Sequence, residues 1–184
     1  MSIKSALLLS LAAVSLAACA GPRVAPNTDR TTYLSEMYQY GAGGRQLKLQ
    51  VLGNPFADSP KSALEALVEN SSDSAGLLQP PTHPRLQPDD SAKPNYRLMV
   101  QFDRQGGGTP QGLCDGQGSD KASPGPGDIT VVMAFCVSGK AFSGATGWID
   151  ATSLQDPGIP ELIRRMELEL FHPDDSIQGD SNPS

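Results

Sequence analysis

Ile129 to Asp150 reads ITVVMAFCVSGKAFSGATGWID, and it joins apolar character, β-propensity and a turn signal in one place. Its first half, Ile129 to Val137, is a nearly unbroken apolar run rich in β-branched residues, the pattern of a strand covered on both faces. Ser138-Gly139 then supplies a short turn. On the way back, Phe142, Thr146 and Trp148 alternate with Ala141, Ser143, Ala145 and Gly147, so the returning strand has one bulky face and one flat face. Trp148 is expected to be buried, and the flat face either admits a close neighbour or stays solvated. The pattern leaves open which of the two faces helices cover. A hairpin of this kind predicts the centre of a sheet and specifies no chemistry.

Outward from the hairpin, two further strands follow from period-two alternation: Leu47, Leu49 and Val51 within Gln46 to Leu52, and Tyr96, Leu98, Val100 and Phe102. Two helices are expected. In the first, Asp58 or Ser59 serves as cap, Pro60 suits the first turn, and Leu64, Leu67 and Val68 form the apolar stripe. In the second, Ile159, Leu162, Ile163, Met166 and Leu170 recur at helical spacing between Pro160 and Pro173. Tyr33, Met37 and Tyr40 can begin a short helix that Gly41 to Gly44 stops. Asn70 to Pro94 and Gly106 to Asp128 are too rich in Pro and Gly for long regular elements, apart from one short strand expected near Gly76 to Gln79. The order β-α-β-β-β-α predicts an α+β fold, a two-layer sandwich of a mostly antiparallel sheet with two helices on one face.

The beginning of the chain has a different logic. Lys4, an apolar run from Ala6 to Leu16 and small residues before Cys19 make the layout of a secretory signal, too short to span a membrane. Leu16-Ala17-Ala18-Cys19 resembles the lipobox of bacterial lipoproteins, which implies that Cys19 is acylated and becomes the first mature residue. Several acyl chains, palmitate among them, give the stable anchoring that a single chain does not. Ala20 and Gly21 stand where an Asp would resemble the inner-membrane retention signal, so the expected location is the outer membrane, facing the periplasm. The expected organisation is residues 1–18 as signal peptide, 19–32 as flexible tether, 33–173 as a single α+β domain and 174–184 as a disordered tail.

Loss of residues 1–18, which carry one Lys and no acid, turns a formal charge of −6 into −7 and makes nucleic acid an unexpected partner. With Cys19 acylated, Cys114 and Cys136 remain, and an even count in an oxidising compartment favours a disulfide. Closing a loop of about 23 residues contributes roughly 3.4 kcal/mol in the chain-entropy model. The alternative is a buried free Cys136 with Cys114 too far away, because sequence gives no Cβ distance.

Other candidate chemistry is thin. His83 and His172 lie in or beside proline-rich turns with Asp89, Asp90, Asp174 and Asp175 nearby, but their spacing is no zinc signature, and solvated loop positions are expected for both. Asp115, Gln117, Ser119, Asp120 and Asp128 offer oxygen ligands without the Gly and Glu positions of a calcium loop. No Gly-x-Ser-x-Gly occurs, and Gly106-Gly107-Gly108 lacks the Lys and Ser/Thr of a phosphate loop. No metal, cofactor or catalytic residue is therefore expected.

The lipobox, the Gly53-Asn54-Pro55-Phe56 corner and the Ala134-Phe135-Cys136 strand centre followed by Gly147 and a C-terminal helix resemble an uncharacterised family of proteobacterial lipoproteins. The layout is also similar to small periplasmic domains such as the N-terminal domain of TolB. The resemblance implies location and fold and hardly any activity. The expected function is a non-enzymatic envelope lipoprotein, held to the membrane through Cys19, whose domain binds an unidentified envelope protein through a sheet edge or a long loop. The alternative is a small-molecule or metal-binding periplasmic protein or weak hydrolase that uses His83 or His172.

Overall fold

The computed structural model of the protein describes residues 21–26, 34–72, 82–121, 123–125 and 127–171. The signal segment, Cys19, His172, the tail and the strand expected near Gly76 to Gln79 lie outside the described residues. In chain order the elements are β1 (Arg23–Pro26), α1 (Leu34–Gly41), β2 (Gln46–Leu52), α2 (Lys61–Ser72), β3 (His83–Arg85), β4 (Tyr96–Asp103), α3 (Pro110–Cys114), β5 (Ile129–Val137), β6 (Lys140–Ile149) and α4 (Gly158–Phe171). The six strands form one sheet in the order β1-β6-β5-β4-β2-β3.

The fold is α+β, but its sheet is mixed, and the two helices expected to cover it are joined by the short α1, which ends at Gly41 as its glycines predict, and by α3, which was not expected. β4, β5, β6 and β1 pair antiparallel in sequence, whereas β2 runs parallel to both β3 and β4. The reason is the chain between β2 and β4. A hairpin turn would have reversed the direction, but α2 intervenes and carries the chain back to the end from which β2 started, as a parallel crossover requires.

Two apolar layers sandwich the central strands. On one face Leu49, Leu98, Val100, Met133 and Phe135 meet Leu64 and Val68 of α2 and Ile159, Leu162, Ile163 and Met166 of α4. On the other face Met99, Val132, Ala134 and Cys136 are covered by Leu113 and Cys114 of α3. β5 is thus enclosed from both sides, as its unbroken apolar run predicts.

The helices take the flat face of β6. A Cβ built at Gly147 would lie 2.7 Å from Leu162 Cδ1 and 2.8 Å from Met166 Sδ, so α4 packs closely over this glycine and the ends of both side chains would have to shift for a larger residue. Trp148 points to the other side and is only half-buried, against expectation, because α3 covers the strand at Gly144 and stops short of Trp148. The bulky face is also broken by a bulge: Phe135 pairs with Ser143 and Cys136 with Ala141, leaving Phe142 unpaired. One extra residue inverts the alternation, and Phe142 joins the helix-side core that Thr146 and Trp148 face away from.

Two other departures come from elements too short to show periodicity. Arg23–Pro26 falls within the expected tether but adds to the sheet edge, Arg23 opposite Trp148 and Pro26 opposite Ala145, which satisfies backbone groups that β6 would otherwise leave open. β3 puts His83 on a strand opposite Gln46 and not in a free loop, and its Pro84 is tolerated because β3 is an edge.

Candidate functional site

At one end of the sheet, four loops meet where β2, β4 and β6 finish and β5 starts. Arg104, just past β4, binds them together. Its Nε donates to the Pro55 carbonyl at 3.2 Å, one Nη to the Ala151 carbonyl at 2.8 Å, and the other Nη to the Gly127 carbonyl. Three carbonyls from three loops occupy three of the five guanidinium donors. Nearby, Asn54 accepts from the Phe56 amide at 3.0 Å and donates to the Ser59 carbonyl at 2.8 Å, so its side chain shapes the corner before α2. Between these loops lies an open cleft of about 250 Å³, lined by Phe56, Asp58, Ser59, Arg104, Thr152 and Gln155 among others.

The segment with oxygen ligands does not gather around one point. Asp115 accepts from Gln111 Nε2 at 2.8 Å, Asp120 accepts from Lys61 and from the Gly53 amide, and Asp128 pairs with Arg23 at 3.0 Å. Each carboxylate ties down a different stretch. Among the described residues no three His, Cys, Asp or Glu side chains are grouped to hold a metal ion. His83 sits at the outer edge of the sheet, its amide donating to the Arg45 carbonyl at 3.3 Å.

Cys114 and Cys136 form a disulfide with Cα atoms 5.5 Å apart. Both cysteines are buried, and the bond fastens α3 onto the central strand. α3 itself is signalled in the sequence by Thr109, whose hydroxyl accepts from the Gly112 amide at 3.0 Å, and by Pro110 at the first helical position. The surrounding glycines and prolines hide that cap.

The opposite end of the sheet is aromatic. Phe135 stacks edge-on to Phe171 at 5.3 Å between centroids, Tyr38 lies 4.6 Å from Phe171, and Tyr40 lies 5.9 Å from Tyr96. Tyr40 is 59% exposed, and Lys93 Nζ stands 5.0 Å from its ring centroid. Burial, with the Glu167 carboxylate adding to it, pushes the Tyr38 phenol well above its ordinary range.

Among the described residues no helix is long and apolar enough to cross a membrane. No family model matches the chain, and no curated protein matches it. Among solved structures the chain is similar to a PelC dodecamer subunit from Paraburkholderia phytofirmans, 16% identical over 82% of this chain and 97% of that one, with a TM-score of 0.43.

Proposed function

We propose that the protein is a non-enzymatic lipoprotein of the bacterial envelope, anchored in the outer membrane through acylated Cys19 and facing the periplasm, where its domain binds another envelope protein. The observation that supports this reading best is the buried Cys114–Cys136 bond, which belongs in an oxidising compartment, in a chain whose Leu16-Ala17-Ala18-Cys19 run resembles a lipobox. The exposed Tyr40 beside Lys93 offers a partner an aromatic contact of the kind enriched at interfaces. Cys19→Ser is expected to release the protein from the membrane fraction or leave it as precursor. Normal processing with full membrane retention would overturn the anchor. Cross-linking in intact cells with a photoreactive residue at Tyr40 is expected to capture one envelope protein.

A second reading, a small-molecule binder, is favoured only by the cleft at Arg104. Its volume falls under the roughly 300 to 1,000 Å³ usual for ligand pockets, and the guanidinium is largely spent on the loops. A thermal-shift screen of small carboxylates and phosphates that moves the wild-type protein, and not Arg104→Met, would favour it.

A further inference from the structure

We propose that the end of the sheet carrying Leu52, Asp103, Ile129 and Ile149 is held against lipid headgroups, while the end carrying Gln46, Tyr96, Val137 and Lys140 points away from the membrane. The inference rests on the lipid-anchor reading and adds an orientation that the anchor alone does not give.

The argument is one of chain length. β1 begins at Arg23, opposite Trp148, and therefore at the end where β6 finishes. The chain is tied there from its first strand residue: Arg23 pairs with β6, its side chain meets Asp128 at 3.0 Å, and the Pro22 carbonyl accepts from Arg165 of α4 at 3.4 Å. Only four peptide steps separate Arg23 from Cys19, so the two Cα atoms stand no more than about 14 Å apart even when the chain is fully extended. Had residues 19–32 formed a free tether, the domain would have sampled every orientation. Pairing of β1 removes that slack. β5, of nine residues, spans roughly 27 Å between the two ends, about twice the longest reach from the anchor. The cleft and the loops gathered by Arg104 therefore face the lipid, and Tyr40 with Lys93 faces the periplasm.

The test uses full-length acylated protein in phospholipid vesicles that contain a headgroup nitroxide lipid. Single cysteines replace Thr152 at the cleft end and Asn95 at the aromatic end, both exposed, and each is labelled with a fluorophore while the native disulfide stays oxidised. Quenching at position 152 is expected to exceed that at position 95 by at least about twofold, given ends roughly 27 Å apart. A spacer of 12 Gly/Ser residues after Gly21, with an r.m.s. span of about 20 Å, is expected to remove most of the difference. Equal quenching at both positions would mean that the domain lies on its side, and stronger quenching at position 95 would mean that it is inverted; either overturns the orientation. A spacer without effect would show that chain length does not set it. Protein that fails to bind vesicles at all overturns the anchor reading, and the orientation with it.

Discussion

The two faces of the sheet are built from the same alternating strands yet are covered by different means. On one face, α2 and α4 lay amphipathic stripes across β2, β4 and β5, and the contact is broad and almost wholly apolar. On the other, a five-residue helix and a loop dense in Gly and Pro cover a much smaller patch around Met99, Val132 and Ala134. The first cover is held by buried area, which stabilises by about 25 cal/mol per Å². The second has too little area to hold itself and is tied by the Cys114–Cys136 bond, with Arg104 joining the neighbouring loops. A sheet can thus be roofed by apolar area or by covalent and polar ties, and the two roofs are expected to fail differently.

The largest expected effect is on the helix face. Phe135→Ala removes a fully buried ring that touches both Tyr96 and Phe171 and is expected to cost about 4 kcal/mol, read as a lower urea midpoint. Fluorescence and circular dichroism should move together. Next comes the loop face: the double variant Cys114→Ala, Cys136→Ala is expected to lose about 3 kcal/mol. Amide exchange should rise first in residues 105–121 and later in α4. Simultaneous loss of protection in both would mean that the two roofs are one cooperative unit.

A smaller effect distinguishes how rigid each roof is. Gly147→Ala forces its Cβ against Leu162 and Met166 of a fourteen-residue helix, whereas Gly144→Ala meets the Pro110 ring at the start of α3. Overpacking costs about 1 to 3 kcal/mol, and Gly144→Ala is expected at the upper end because the Pro110 ring 2.4 Å away cannot turn aside, whereas the ends of Leu162 and Met166 can. If Gly147→Ala is the costlier in thermal denaturation, the helix face is the stiffer of the two. At neutral pH the smallest effect belongs to Tyr38. Its folded-state pKa is raised, by burial first and by Glu167 second, so the stability it contributes is present below the ordinary tyrosine pKa near 10 and is lost as pH rises beyond it. Denaturation between pH 9 and 12 should show this loss, and Tyr38→Phe should flatten it.

The elements legible in the sequence were those with enough residues to repeat. β2 and β4 showed their alternation over seven and eight residues, β5 its apolar run, and α2 and α4 their stripes. Arg23–Pro26, His83–Arg85 and Pro110–Cys114 have four, three and five residues, fewer than a periodic pattern needs. Arg104 could not be found by spacing either, because its partners are main-chain carbonyls at positions 55, 127 and 151, and any residue supplies a carbonyl.

What the sequence by itself determined is what composition and local repetition carry: a Leu16-Ala17-Ala18-Cys19 run that resembles a lipobox, an expected pairing of Cys114 with Cys136, a hairpin with a flat face, and amphipathic helices able to cover a sheet. Tertiary structure decided the rest. Direction of pairing depends on where a crossover returns the chain, so β2 beside β4 became parallel. The covered face of β6 depends on which neighbour needs close approach, and α4 took the glycine side. The end of the sheet from which the chain leaves toward Cys19 depends on an edge strand of four residues, whose pairing is fixed by the open backbone groups of β6 and by no pattern in its own side chains.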